Sequence, residues 1–464
     1  MEDVVGSGAL PIKVTAVAAG EAHTLLLTGD GSVYSWGRGT LGRLGLGSEE
    51  DQLFPAQVKF GSEDSVRIVG IAAGAYHSLA LSDDGCVWCW GYNLYGQLGI
   101  TNDEDSHNPK YIDGYYSVVP CLLNKFLELH PSDSSTFMSS QEEGKTSLKI
   151  FSIKAGGMMS LSIDNLGALW IWGNCPHQSK EGTFSIVTNF TPTPIWDFHG
   201  HIVVKVACGN EHIIALVSIG ESYKGEEDEL MCYSWGNNNH GQLGLGDEEN
   251  RPHPQLVKTF DQKSPWKIYE VACGAFHTAL LTHRKKTNDK LESVCWTFGL
   301  GDNGQLGHGT TQSTSIPELV QELPQFVNLV SIDCGLFHTC VVSSVGDVWS
   351  WGMEKGLGLY PNARVVGEYS SDALFPLRVL CSTCEGKFLG PVGVVCGAAH
   401  TVIVAQEGYK VWSMGRGRSG VLGNGKLMDC YTPTLVLWPP LVEDFNFKQV
   451  GSPSSRNQDK GQRD

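Results

Sequence analysis

Basic charge is what this chain is short of: 33 lysines and arginines stand against 50 aspartates and glutamates, for a formal charge of −17. A field of that sign opposes nonspecific attraction to nucleic acid and to anionic lipid, so nucleic acid is not an expected partner. Long apolar runs are missing too, and none reaches the length of a membrane span. The N-terminus reads Met1-Glu2-Asp3 and enters the first strand near Lys13, which leaves no room for a signal or transit peptide of the usual kind. The expectation is a cytoplasmic or nuclear protein. No carboxylate recurs at a fixed offset from the regularly spaced histidines, so a general base would lack its orienting partner. What the chain does have is glycine, 56 residues of it, and 13 tryptophans, and both follow a regular spacing.

Six times a glycine is followed three residues later by histidine: Gly20/His23, Gly74/His77, Gly209/His212, Gly274/His277, Gly335/His338 and Gly397/His400. A seventh copy keeps the frame with Met159 in the histidine's place. Downstream of each lies a strand with two large side chains at i and i+2 and a glycine directly behind: Tyr34/Trp36, Trp88/Trp90, Trp170/Trp172, Tyr233/Trp235, Trp296/Phe298, Trp349/Trp351 and Trp412/Met414. Alternate residues on a strand share a face, so each pair is one apolar surface. The glycine suits a backbone that leaves the sheet abruptly. A Gly-x-Leu-Gly turn follows in five units, is shortened around Gly356 and Gly358 in the sixth, and is replaced in the third by Asn174-Cys175-Pro176-His177.

Hairpin signals such as Gly29-Asp30-Gly31 and Asp83-Asp84-Gly85 join the two halves of a unit, and extended segments ending near a proline supply further strands. About four strands per unit make a blade, and blades arranged radially bury their aromatic faces against neighbours. The pattern predicts an all-β chain, a seven-bladed β-propeller built from seven tandem repeats over residues 14–440. Residues 1–13 are then a short extension, residues 101–150 an insertion before the third blade, and residues 441–464 a polar tail expected to be disordered. The last strand, near Thr434 to Leu437, is expected to lie against N-terminal segments and latch the ring, since an open array would leave exposed strand edges.

These units resemble those of the regulator of chromosome condensation family, whose members are seven-bladed propellers, and the resemblance covers roughly residues 14–438. Three activities are implied by it. One is guanine-nucleotide exchange on a small GTPase, which needs no catalytic side chain because the exchange factor stabilises the nucleotide-free partner. The family's wedge for this task belongs to the third blade, where this chain has the tight hairpin Asp164-Asn165-Leu166-Gly167. A second is chromatin docking through a basic N-terminal tail, which Glu2-Asp3 and the acidic composition disfavour. The third is ultraviolet-B sensing, which uses tryptophans directly after the repeat glycine. That position holds Glu21, Ala75, Gly157, Asn210, Ala275, Leu336 and Ala398, so no such photochemistry is expected.

Several motifs are by-products of the repeat. The Gly-x-Gly-x-x-Gly strings at Gly37, Gly299 and Gly415 mark the strand-to-turn junction and lack the helix that a dinucleotide site requires. Gly420 to Leu427 imitates a phosphate loop but ends in Leu427 where a hydroxyl would bind magnesium. Of fourteen cysteines, Cys208, Cys273, Cys334 and Cys396 share one repeat position and read as small buried residues. Cys86 and Cys89 point to opposite strand faces. Cys381 and Cys384 could share a ligand sterically, but no further ligand pair lies nearby. The repeated histidines read as buried imidazoles bonded to neighbouring strands or loops. No catalytic residue, cofactor or metal is expected.

Partner contact is expected on what departs from the repeat. The interval from His77 to Met159 is 82 residues against 53 to 65 elsewhere, and its excess carries Tyr111, Tyr115 and Tyr116. Within it, Cys121 to Leu129 is compatible with a short amphipathic helix. Two readings of this insertion stand side by side, a solvated loop and a tyrosine-borne contact. Units four and five lengthen the same hairpin, acidic in one (Glu226, Glu227, Asp228) and basic in the other (Arg284, Lys285, Lys286), and equivalent hairpins of adjacent blades emerge on one face. The functional expectation is a non-catalytic protein-interaction propeller, either a regulator of a small GTPase or a passive scaffold without exchange activity.

Overall fold

The computed structural model describes residues 12–61, 66–100, 111–112, 115–123, 148–177, 182–218, 230–285, 291–324, 327–357, 372–381, 386–390 and 393–437. Seven antiparallel sheets follow one another along the chain, six of four strands and one of five. Blade 1 shows the plan: an inner strand Val14–Ala19, a second His23–Thr28, a third Val33–Gly37 and an outer Gln52–Val58. The second strand starts at the repeat histidine, or at Met159 in blade 3, and is buried along its whole length in six blades, because both its faces meet a neighbouring blade; in blade 5 it runs on past the core through His283 and Arg284 to the exposed Lys285. Burial on both sides explains why these strands read as nearly continuous apolar runs instead of alternating.

Two irregularities recur at fixed places and give the blade its twist. In blades 1 to 6 the pairing of inner and second strand slips by one residue near the start of the inner strand, as between Val14 and Ala16 or Ile268 and Glu270. The third strand carries at or near its end a glycine with φ near +100°, from 95° at Gly173 to 110° at Gly236. A side chain there would be strained, and at Gly37 its Cβ would also lie 2.6 Å from the Ala22 carbonyl.

Ring closure differs from the latch expected from the sequence. The outer strand of blade 7, Cys430–Leu435, pairs with that blade's own third strand, Lys410–Gly415, through Trp412↔Leu435 and Gly415↔Cys430. Every blade is therefore one contiguous stretch of chain, and no strand is exchanged. Blades 7 and 1 join as other neighbours do. Val402, Val404, Val411 and Val436 share a core with Val14, Leu26 and Trp36, and Trp36 Nε1 donates to the Val421 carbonyl at 2.9 Å.

The insertion before blade 3 also differs from expectation. Tyr116–Leu122 is the outer strand of blade 2 and carries a fifth, Tyr111–Ile112, at its edge. Cys121 and Leu122 are thus strand residues, not the start of a helix: pairing with Cys89 and Trp88 satisfies their backbone. Residues 124–147 lie outside the described residues, as do 1–11 and 438–464. Among the described residues no helix is long and apolar enough to cross a membrane.

Candidate functional site

The repeat histidine is an inter-blade bolt. His23, His77, His212, His277, His338 and His400 place Nε2 at 2.8 to 3.1 Å from Ser78, Ser160, Thr278, Thr339, Thr401 and Thr24, the hydroxyls of the next blade round the ring. Five of those hydroxyls, on Ser78, Ser160, Thr278, Thr339 and Thr401, donate to a carbonyl in the turn of the histidine's own blade. Having given away its proton, such a hydroxyl accepts from Nε2–H, which fixes the tautomer. Burial holds these imidazoles far below their ordinary value, to about 3 for His77, His277 and His400 and about 4 for His212 and His338. They stay neutral at physiological pH.

The Gly-x-x-His spacing has a steric cause. A Cβ on Gly20, Gly74, Gly209, Gly274, Gly335 or Gly397 would lie 2.0 to 2.3 Å from Cε1 of the histidine three residues on. Blade 3 lacks the bolt in all its parts. Met159 replaces the histidine, Ile213 the hydroxyl of blade 4, and the turn is gone, since the third strand, Leu169–Pro176, runs on through the glycine to pair with Ile186–Pro194. Trp90 and Trp172 Nε1 also use that turn carbonyl, of Arg43 and Gln97. Trp235, facing the missing turn, has no partner for its Nε1 among the described residues, and neither has Trp351.

Polar groups at the axis are few. Lys154 and Asp333 occupy the same repeat position, two before the glycine, and line the channel with Cys208, Cys273, Cys334 and Cys396. The sequence reading missed them, although superposing the inner strands on the repeat glycine brings them into one column. Burial raises the Asp333 carboxyl to about 6, while its Oδ2 accepts the Cys396 amide at 2.7 Å. His338, Cys340 and Cys396 bring three ligand atoms within 4.8 Å of one another. Thr401 Oγ1 already sits against them, at 2.9, 3.8 and 4.0 Å, so this cluster is a copy of the repeat bolt with two thiols beside it. The described cysteines are free thiols, with burial holding Cys208 and Cys232 up at about 12. Cys384 lies outside the described residues.

The structure separates the two contact regions expected from the sequence. Tyr115 is exposed, and Tyr116 pairs with Tyr92 and donates from its hydroxyl to Glu49 Oε2 at 3.2 Å. Tyr111 pairs through its backbone with Ser117. These lie where outer strands begin, on the face of the repeat turns. Arg284 and Lys285 end the second strand of blade 5, His277–Lys285, on the opposite face with the hairpins. Arg284 is committed internally: Nε bonds Glu292 Oε2 at 2.7 Å, and the guanidinium lies 4.3 Å over the Trp266 ring. Glu226, Glu227, Asp228 and Lys286 lie outside the described residues.

At the foot of the blade 4 and blade 5 hairpins is a cleft of about 690 Å³. Its lining comes from the first three strands of blades 4 and 5, from the connection between them with Phe260 and Trp266, and from Asn328, Leu329 and Val330 at the start of blade 6; Lys267 opens the first strand of blade 5. Phe260 meets Trp296 edge-on at 5.3 Å, Trp266 meets the same ring at 5.8 Å, and Tyr269 is pinned by its hydroxyl to the Leu329 carbonyl at 2.7 Å. The walls are therefore rigid. Sequence reasoning found the hairpins but missed Trp266 and Lys267; the signal was Ser264-Pro265-Trp266-Lys267, a bulky pair at the junction of connection and strand, where the repeat demands none.

Comparison with known proteins agrees with this architecture. The family model of the RCC1-like domain matches residues 4–280, and that of the regulator of chromosome condensation (RCC1) repeat matches residues 293–342. The chain belongs to the RCC1-like propeller family. Among RCC1-like relatives, the ultraviolet-B receptor UVR8 of Arabidopsis thaliana is 28% identical over 92% of this chain and 82% of its own length. The E3 ubiquitin-protein ligase HERC2 of Homo sapiens is 27% identical over 84% of this chain, which spans 7% of that ligase. Among solved RCC1-like structures, Prp20p of Saccharomyces cerevisiae, a protein with binding properties to Gsp1p and histones, aligns with a TM-score of 0.66 at 23% identity, covering 94% of this chain and 88% of that one.

Proposed function

We propose that this RCC1-like propeller is a non-catalytic protein-interaction module that docks a partner on its hairpin face, between blades 4 and 5. The observation that carries the reading is the cleft, a concavity of about 690 Å³ lined by apolar side chains together with lysines and neutral polar groups. That volume is within the range of pockets that bury a ligand of several side chains' size, about 300–1,000 Å³. Catalysis needs converging acid, base or nucleophile groups; the axis offers Lys154 and Asp333, and the six repeat histidines are each engaged in a bolt.

Nucleotide exchange on a small GTPase is a finer form of the same role. The likeness to Prp20p supports the fold and leaves exchange to be tested. The third-blade hairpin is closed by Gly167 N–H to the Asp164 carbonyl at 3.0 Å and projects no wedge, which favours the scaffold form. The test is capture of partners on the immobilised full chain and on its Trp266→Ala and Leu291→Ser variants, followed by release of fluorescent GDP from any GTPase recovered. Loss of capture with the cleft variants supports docking there. Capture that ignores both variants sinks it, and accelerated GDP release would convert the scaffold into an exchange factor.

A further inference from the structure

Resting on that docking reading, we propose that the cleft takes an acidic peptide segment bearing a bulky apolar side chain. Among the described residues that line it, the cleft carries more cationic than anionic side chains. Lys205, Lys267 and Lys285 line it with one carboxylate, Asp261, in a protein of formal charge −17. Lys205 is paired with Glu270 at 2.9 Å, whereas Lys267 and Lys285 form no ion pair among the described residues. Both of these lysines line the cleft, and the acidic Glu226, Glu227 and Asp228 of the neighbouring hairpin lie outside the described residues.

Apolar surface stands between them. Leu291 is 52% exposed and Val330 38%, both facing the cleft, and the Trp266 indole is held in place by Arg284 on its face. A side chain seated there removes apolar area from water, while flanking carboxylates meet the lysines; the first supplies affinity and the second supplies choice of partner and encounter rate. None of the described residues lining the cleft is an arginine, whose fork would suit phosphate, and the overall field repels a polyanion as long as a nucleic acid, whereas a short acidic segment meets the lysines at distances where screening leaves the local attraction.

The experiment is fluorescence anisotropy on the full chain with short labelled synthetic peptides: acidic residues around a central leucine-tryptophan pair, the same with lysines for the acids, the same with alanines for the central pair, and a single-stranded oligonucleotide. The acidic apolar peptide is expected to bind at least about tenfold more tightly than each of the other three, and to weaken about tenfold with Lys267→Glu/Lys285→Glu or with raised salt. Leu291→Ser, an exposed position, should weaken it without altering the melting temperature and replaces Trp266→Ala if that variant does not fold. Equal binding of acidic and basic peptides, preference for the oligonucleotide, or indifference to charge reversal overturns the proposal. The two readings fail separately: captured partners lost with Leu291→Ser but indifferent to charge reversal leave docking standing and remove the acidic segment.

Discussion

His277 Nε2 donates to Thr339 Oγ1 at 2.9 Å across the boundary between blades 5 and 6, and Thr339 Oγ1 passes its own proton to the Gln305 carbonyl in the turn of blade 5, also at 2.9 Å. Imidazole, hydroxyl and turn form one hydrogen-bonded chain that ties two blades by side chains, beside the backbone bond from Gly309 N–H to the Leu374 carbonyl at 2.9 Å. His277→Ala removes it, leaving a cavity and a loosened seam. The expected loss is about 2–4 kcal/mol in denaturant-unfolding stability, and Thr339→Val should cost about 1–3 kcal/mol by stranding the imidazole.

Blade 3 offers the complementary test. Met159→His alone buries an imidazole with no hydroxyl opposite, and Ile213→Thr alone buries a hydroxyl against methionine; both should destabilise. Combined, they restore two members of the bolt, so a double-mutant cycle should show a favourable coupling of about 1 kcal/mol. The pair should still fall short of other blades, because the turn carbonyl is missing. A coupling near zero would show that the bolt does not act as a unit.

Stability should fall as pH drops below neutrality. Five of the bolt histidines have folded pKa values of about 3 to 4, and burial holds His23 well below the ordinary value of 6.5 as well. Between 6.5 and those values the unfolded chain binds protons that the folded chain refuses. Their stabilisation is complete above 6.5 and is lost going down, at up to roughly 1.4 kcal/mol per pH unit for each histidine. Asp333, raised to about 6, acts with opposite sign between 3.8 and 6, but it is one group against six. Thermal melts at pH 7, 6 and 5 should show a progressively lower midpoint, with a shallower dependence in His277→Gln.

Two glycines separate steric need from chance. At Gly274 a Cβ would lie 2.1 Å from His277 Cε1 and 2.6 Å from the Gly335 carbonyl, whereas at Gly29 the nearest atom would be 3.6 Å away. Gly274→Ala should cost about 1–3 kcal/mol or more through overpacking, and Gly29→Ala close to nothing. Circular dichroism melts of the two variants should differ by several degrees.

Likeness to an ultraviolet-B receptor makes a negative prediction worthwhile. The channel mouth is ringed by Glu21, Ala75, Gly157, Asn210, Ala275, Leu336 and Ala398, with no indole among them. Ultraviolet-B illumination should leave the size-exclusion profile unchanged; a light-dependent shift would refute this.

Spacing alone determined much of this protein. Gly-x-x-His and the paired aromatics are local periodicities, and a strand's two-residue repeat converts them directly into faces, so seven units, their order and their buried seams were legible. Even the three exceptions in blade 3 and its neighbour could be read as letters. What they have in common could not: Met159, Ile213 and the lost turn are far apart in sequence and meet only because adjacent blades pack face to face. Tertiary structure also decided that the insertion tyrosines and the basic hairpin lie on opposite faces, and that Arg284 is spent on Glu292 and Trp266. The cleft likewise exists only in the fold, since Lys205, Trp266, Lys285 and Val330 come from three blades and a connection. A repeat fixes what every unit shares, whereas a binding surface is made of side chains from different units, brought together when the ring closes.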